Sequence, residues 1–234
     1  MKRIYLIMLM IVAMMVSCNP KDDDDNNNSG GNGNNGGGNG QYNGYEYVDL
    51  GLPSGLKWAT CNVGASSPED YGDYFAWGET NTKTEYTNDN SLTYGLTKTQ
   101  LQAQGIIDEN GNLTPQYDAA TANWGGSWRM PADDEMRELV NHCEWEWTYE
   151  NGVKGGMGTR VTGPNGNSIF LPATGFREGL SLSEDDYRGH YWSSSPCKPT
   201  EYNIAYYLRF DSSEHRVYNS GDRFFGLSVR PVSE

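Results

Sequence analysis

Residues 26–40 are almost wholly asparagine and glycine. Such a stretch has no apolar side chain to bury, so nothing offsets its ordering entropy, and it reads as a flexible linker. It divides the 234-residue chain: whatever packs a core must lie after about Gln41. Aromatic residues appear at once beyond that point, and the remaining roughly 190 residues suit one domain with a real core. The mean hydropathy of −0.74 reflects the linker and the many Asn, Gly, Tyr and Thr residues rather than disorder of this part.

Ahead of the linker, Lys2 and Arg3 precede an unbroken apolar run over 4–16, closed by Ser17 and Cys18. At ~1.5 Å per residue this run is too short to cross a ~30 Å hydrocarbon core comfortably, and the order basic, apolar, small is that of a secretory signal peptide. The ending Val16-Ser17-Cys18 resembles the lipobox of bacterial lipoproteins, with Met15 where leucine is usual. The resemblance implies that 1–17 is removed, that Cys18 carries lipid, and that 18–41 is a lipidated, disordered tether. A multiply acylated cysteine anchors stably because each buried CH2 contributes ~0.8 kcal/mol. A transmembrane anchor that ends by chance in Ser-Cys is the alternative. Lys21 followed by Asp22, Asp23, Asp24 and Asp25 resembles the surface-export signal of Bacteroidetes lipoproteins, which implies an outer-membrane, cell-surface location. The alternative is a solvated charge run that keeps the chain off the membrane.

The chain carries a formal charge of −14, and residues 42–234 hold 14 basic against 27 acidic side chains. That balance argues against nucleic acid, because phosphate binding needs clustered Lys and Arg. Three cysteines lie in the domain, Cys61, Cys143 and Cys197. Outside the inner membrane a disulfide could form, with Cys61–Cys143 the expected pair; buried free thiols are the alternative. No CxxC or His-rich spacing suggests a metal, and no cofactor is expected.

Turn signals divide the domain into short strands, expected over 45–50, 56–61, 144–150, 168–173, 191–195, 205–211, 216–219 and 225–232. Leu52-Pro53-Ser54-Gly55, Asn151-Gly152, Asn165-Gly166 and Asn219-Ser220-Gly221 read as turns, the Asn-Gly pairs as tight hairpins with positive φ at both residues. In 205–211, Tyr206, Leu208 and Phe210 share one face, and Tyr207, Arg209 and Asp211 the other. Short helices are expected near 97–104 and 115–122. The one main helix is expected over 131–142: Pro131 suits a first helical position, Asp133, Asp134 and Glu135 suit the positive end of the dipole, and Met136, Leu139 and Val140 form one apolar stripe. The expected class is α+β, with short antiparallel strands.

Several stretches carry a wider resemblance. Residues 48–65, with Asp49-Leu50-Gly51-Leu52-Pro53-Ser54-Gly55 and Lys57-Trp58-Ala59-Thr60, and 71–79, ending Ala76-Trp77-Gly78-Glu79, are similar to an opening shared by many Bacteroidetes surface lipoproteins. Ser127-Trp128-Arg129-Met130-Pro131 looks like that family's tryptophan-arginine-leucine-proline motif. Tyr191-Trp192-Ser193-Ser194-Ser195 and Gly226-Leu227-Ser228-Val229-Arg230-Pro231-Val232 look like its closing motifs. Together these resemble the Fibrobacter succinogenes major paralogous domain, over nearly all of 42–234. The resemblance implies a C-type lectin-like domain, similar in form to formylglycine-generating enzymes and to the variable proteins of diversity-generating retroelements, with chain ends that meet.

Likeness of fold transfers no activity. The copper-binding cysteines of formylglycine-type oxidation do not match here, and neither do the calcium-site motifs of sugar-binding C-type lectins. Asp108-Glu109-Asn110-Gly111-Asn112 echoes a calcium loop but reads as a turn. A glycan-acting hydrolase would need paired carboxylates across a cleft, for which Glu184-Asp185-Asp186 and Glu144/Glu146 are candidates. His142, His190 and His215 stand apart, with no nucleophile motif beside them. The expectation is a non-enzymatic domain binding a protein or glycan; a hydrolase and a structural or adhesin-associated surface subunit are the alternatives. By analogy with the retroelement relatives, ligand contacts are expected at Tyr202, Asn203, Tyr207, Arg209, Glu214, His215, Tyr218, Asn219, Asp222 and Arg223. Trp58, Trp77, Trp128, Trp145 and Trp192 read as core. Arg230, between Val229 and Pro231, reads as a structural charge held by a buried acid or by backbone carbonyls.

Overall fold

A computed structural model describes residues 39–150, 156–197 and 202–234. Cys18 and the Asn151-Gly152 turn lie outside the described residues. In chain order the elements are β1 (Gly40–Tyr42), β2 (Tyr45–Asp49), β3 (Lys57–Ala59), α1 (Lys98–Ala103), α2 (Ala119–Trp124) and α3 (Asp133–His142), then β4 (Glu144–Tyr149), β5 (Met157–Thr162), β6 (Ser168–Pro172), β7 (Thr174–Glu178) and β8 (Ser181–Asp185). The last four are β9 (Gly189–Pro196), β10 (Ile204–Phe210), β11 (His215–Asp222) and β12 (Val232–Ser233). They make an α+β fold of small antiparallel sheets, ordered β1-β2-β3-β12, β11-β10-β9, β4-β5-β6 and β7-β8. β1 begins within the span expected to be tether.

The first sheet joins the two ends of the domain. Trp58 pairs with Val48 on one side and with Val232 on the other. Arg230, 1% exposed, ties the approach to β12 onto β3. Its Nε donates to Asn62 Oδ1 at 2.8 Å, and its Nη1 donates to the carbonyls of Ala59 at 3.0 Å and Thr60 at 2.7 Å. The charge is therefore held by carbonyl dipoles and an amide, and burial pushes the guanidinium pKa down to about 10.

Two apolar cores lie on either side of the second sheet. One gathers Trp77, Trp124, Trp128, Trp192, Leu101 and Leu227. The other gathers Trp58, Met136, Leu139, Leu171, Tyr191, Leu208 and Phe210, with Val140, Trp145 and Trp147 packed against it. The expected α3 stripe thus faces the second core. Burying side chains of this size contributes about 1.5–3 kcal/mol each. α3 starts at Asp133, two residues later than expected, because the Pro131 carbonyl accepts the Ser194 N–H of β9. Glu135 closes its first turn, accepting from the Ala132 N–H at 2.7 Å and from both terminal nitrogens of Arg129. Asp118 caps α2 through Thr121 N–H at 2.9 Å, and its other oxygen accepts Met130 N–H at 2.8 Å.

Other differences from expectation have local causes. Asn165-Gly166 lies in the β5–β6 hairpin, but only Gly166 has positive φ. Pro164 fixes a turn in which Gly166 N–H bonds the Gly163 carbonyl at 2.9 Å, with glycine as its fourth residue. Asn219-Ser220-Gly221 is strand, not turn: an irregularity between Ala205 and Tyr207 lets β11 run on until Gly221 pairs with Ala205. The turn falls instead where Phe225 N–H meets the Asp222 carbonyl. The strand expected over 225–232 is reduced to β12, because Gly226, Leu227 and Ser228 bridge to three separate segments, at Arg177, Phe75 and Tyr191. The Cys61–Cys143 bridge is not formed. Cys143 is a free thiol at the C-terminal end of α3, beside the second core, whereas Cys61 packs with Ala65.

Candidate ligand-binding site

The face of β10 that carries Tyr207 and Arg209 is flanked by β9 and β11. Cross-strand register sets Tyr207 opposite Trp192 and Tyr218, and Arg209 opposite His190 and Arg216. β7 and β8 bring Phe176 and Glu184 to the same face. Phe176, Glu184, His190, Tyr207, Arg209, Ser220, Gly221, Phe225 and Leu227 line a recess of about 200 Å³. Gly221 is required at its base, because a Cβ there would stand 2.8 Å from the Trp192 ring and 2.9 Å from the Tyr207 ring.

Aromatic rings build the walls. His190 lies parallel to Tyr207 at 5.6 Å between centroids, and Tyr207 in turn stacks on Tyr218 at 5.6 Å. Phe176 meets His190 at 5.3 Å and Phe225 at 5.1 Å. The Tyr218 ring lies under two guanidinium groups, Arg209 at 4.5 Å and Arg216 at 4.0 Å.

The charged groups are matched to one another. Glu184 takes His190 Nε2 at 3.0 Å on one oxygen and Arg188 Nη1 at 2.7 Å on the other. Arg188 Nε also donates to Asp211 at 3.3 Å. Glu214 accepts from Arg209 and, at 2.7 Å, from the Tyr218 hydroxyl. Burial pushes His190 down to about 4, against the opposing pull of Glu184, so the imidazole is neutral at pH 7. Burial raises the Tyr207 phenol, and its bond with Ser220 partly offsets that. Glu184 holds a left-handed φ of 60°, a conformation uncommon for a non-glycine residue. One polar atom is unmatched: Arg209 Nε is buried and has no hydrogen-bond partner among the described residues.

Of the expected ligand residues, Tyr207 and Arg209 line the recess, with Glu214 and Tyr218 behind them. The others are elsewhere. Tyr202 is exposed ahead of β10. Asn203 receives Gly95 N–H on its side chain and Arg223 N–H on its carbonyl. Arg223 is 1% exposed, donates to the carbonyls of Ile204, Thr93 and Leu96, and lies 4.9 Å from the Trp77 ring, so it has a structural role. His215 stacks on Trp145 at 4.7 Å on the opposite face of the sheet, and strand alternation directs Asn219 the same way. Asp222 is half-buried at the end of β11, facing Ile204, and burial raises its carboxyl. The reading from sequence missed Phe176, His190 and Ser220 as ligand-site residues and named Glu184 only as a hydrolase candidate. A signal existed for the first: Gly179-Leu180 joins β7 to β8 with positive φ at the glycine, a two-residue hairpin signature.

A larger depression, about 550 Å³, lies among Gly78–Asn81, Lys83, Asp89–Leu92, Gln116 and Tyr117. There Lys83 is engaged by Glu79 and Asn90, and Glu79 by the Leu92 N–H. Of its charged groups Glu79 and Lys83 are joined to each other, Asp89 makes no ion pair among the described residues, and the depression lacks the aromatic enclosure of the smaller recess. The chain matches no family model, no curated protein and no solved structure.

Proposed function

We propose that the chain is a lipid-anchored cell-surface protein of the outer membrane whose domain binds a protein or glycan ligand in the β9-β10-β11 recess without turning it over. The observation that carries this reading is the convergence of four aromatic rings and mutually paired charges in a single concavity, the pattern of a small-ligand pocket. Attachment through Cys18 rests on the signal-peptide order and the lipobox resemblance; among the described residues no helix is long and apolar enough to cross a membrane. A C-type lectin-like fold of the Fibrobacter succinogenes major paralogous kind belongs to the same proposal, and the pairing of β3 with β12 at the two ends of the domain supports it. The test is a glycan and protein array probed with the full chain and with Ser220→Trp, which fills the recess from an exposed strand position. Array binding that disappears in the variant is expected; absence of any binding, or binding equal in both, overturns the reading.

One observation favours a hydrolase instead. Glu184 orients the His190 imidazole at 3.0 Å inside a cleft, the carboxylate–imidazole pairing of acid–base sites, although burial lowers the basicity of the ring. Turnover of a polysaccharide by the purified chain, abolished by Glu184→Gln, would replace the binding reading.

A further inference from the structure

We infer that the depression of about 550 Å³ is a second ligand site, one that takes a short neutral oligosaccharide. It shares no lining residue with the recess, so it holds or fails apart from the binding reading above. Its volume falls within the ~300–1,000 Å³ range of small-molecule pockets. Its walls are loop, and the loop is braced. Residues 60–97 join β3 to α1 with one 3-10 turn, Asn88–Asn90, and no strand or α-helix. Connections this long are uncommon in compact domains and are usually functional or disordered. This one is fixed from within. Tyr86 is 1% exposed and donates to the Tyr74 carbonyl at 2.5 Å, and Thr93 Oγ1 donates to the Trp77 carbonyl at 2.8 Å. Lys83 Nζ donates to Glu79 Oε1 at 3.1 Å and to Asn90 Oδ1 at 3.0 Å, and Glu79 Oε1 also accepts the Leu92 N–H at 2.8 Å. Glu79 and Lys83 thus set the shape of the concavity before any ligand arrives, which lowers the ordering cost of binding.

Other polar groups lining it are left open. Asn81, Asp89 and Gln116 are exposed, and their side chains and the Tyr117 hydroxyl have no hydrogen bond or ion pair among the described residues. They converge from three stretches of chain, 78–81, 89–92 and 116–117. Tyr117 is half-buried: it packs against the first core and also lines the depression, and no other ring or cation covers it among the described residues. Part of that ring is therefore open to a ligand. Leu92, 51% exposed, adds apolar surface to the same lining.

The chemistry of these groups selects the ligand. Two amides offer both donors and acceptors, and Asp89 offers acceptors only. Sugar hydroxyls both donate and accept, so a row of them satisfies all three side chains at once, while the C–H face of a pyranose meets Tyr117 and Leu92. A wholly apolar ligand would desolvate the amides and the carboxylate without bonding them. An anion finds no free cation, because Lys83 is joined to Glu79, and it meets Asp89 and a chain of formal charge −14. An extended peptide gains most by adding to a sheet edge, and no residue lining the depression lies in a strand. A neutral chain of hydroxyl-bearing rings meets every condition.

The test is saturation-transfer NMR and calorimetry on the full chain. The probes are neutral hexose trimers of gluco, manno and galacto configuration, trigalacturonate as the anionic trimer, and N-acetyl-lysine amide as a cationic, protein-like group. At least one neutral trimer is expected to bind with Kd of ~1 mM. Gln116→Trp, which fills the depression from an exposed turn position, is expected to abolish that binding with an unchanged far-UV spectrum. Asp89→Ala and Asn81→Ala are each expected to weaken it about tenfold with an unchanged melt, and they carry the test if Gln116→Trp does not fold. Ser220→Trp is expected to leave it unchanged. Absence of trimer binding overturns the inference, and so does trimer binding lost in Ser220→Trp but untouched in Gln116→Trp. Tighter binding of trigalacturonate or of the lysine amide, lost in Gln116→Trp, overturns the neutral ligand. In the Gln116→Trp background the array carries no signal from the depression, so its response to Ser220→Trp decides the recess reading separately.

Discussion

His190 is 7% exposed, enclosed by Phe176 and Tyr207, with Glu184 on its Nε2. Burial disfavours the imidazolium more than Glu184 favours it, so the folded-state pKa falls from 6.5 to about 4. Between those values the unfolded chain binds the proton and the folded chain does not. Stability is therefore fully present above pH 6.5 and is lost as pH falls toward 4, by roughly 3 kcal/mol for this residue. His215, lowered by burial behind Trp145, adds a slope of the same sign. Asp211 acts in a lower window: against desolvation, bonds from Ser213, Glu214 N–H and Arg188 hold it at about 2, so its contribution is lost only below the ordinary carboxylate range. Urea titrations at pH 7.5 and pH 4.5 are expected to show a smaller loss of stability in His190→Gln than in the wild type. An equal loss in both proteins would show that His190 is not neutral inside the recess.

At the scale of elements, Arg230 links the segment entering β12 to β3 and thereby fastens the two ends of the domain. Arg230→Met keeps most of the volume but orphans Asn62 Oδ1 and two carbonyls, which costs on the order of 2–4 kcal/mol. The melting temperature is expected to fall by roughly 5–15 °C for a domain of this length, read by calorimetry; an unchanged melt would sink the structural role. The elements themselves were legible to different degrees for physical reasons. α3 announced itself through three acids in its first turn and the Met136–Leu139–Val140 stripe. β10 was legible because alternation put Leu208 and Phe210 on one face and Tyr207 and Arg209 on the other, as the two cores and the recess require. β7 and β8 were not: their half-exposed strands mix Arg, Glu, Ser and Asp with only Phe176 and Leu182 as large apolar residues, and no periodicity survives that. The site inherits this division. Tyr207, Arg209, Glu214 and Tyr218 lie within one hairpin and could be grouped from the sequence, whereas Glu184 and Phe176 arrive from a hairpin whose approach no local pattern encodes. Arg223 misled because a buried cation bonded to carbonyls has the same sequence signature as an exposed one.

For the whole molecule, the two cores share their walls. Neighbouring residues of single strands go to opposite sides: Tyr191 and Trp192 in β9, Tyr207 and Leu208 in β10, Trp58 and Ala59 in β3. Neither core can lose its packing without stripping one face from all three strands, so the domain is expected to unfold in one step. Leu101→Ala in α1 opens the first core and Leu139→Ala in α3 opens the second, each at a cost of about 2–5 kcal/mol because both side chains are fully buried. In guanidinium titrations each variant is expected to lower the midpoint while leaving the slope unchanged. Tryptophans report both cores: Trp77, Trp124, Trp128 and Trp192 lie in the first, and Trp58 lies in the second with Trp145 and Trp147 against it. Independent cores would give a two-step fluorescence curve in Leu139→Ala, the second core melting first; a single step coincident with far-UV dichroism in both variants follows if β3, β9 and β10 couple the halves into one cooperative unit.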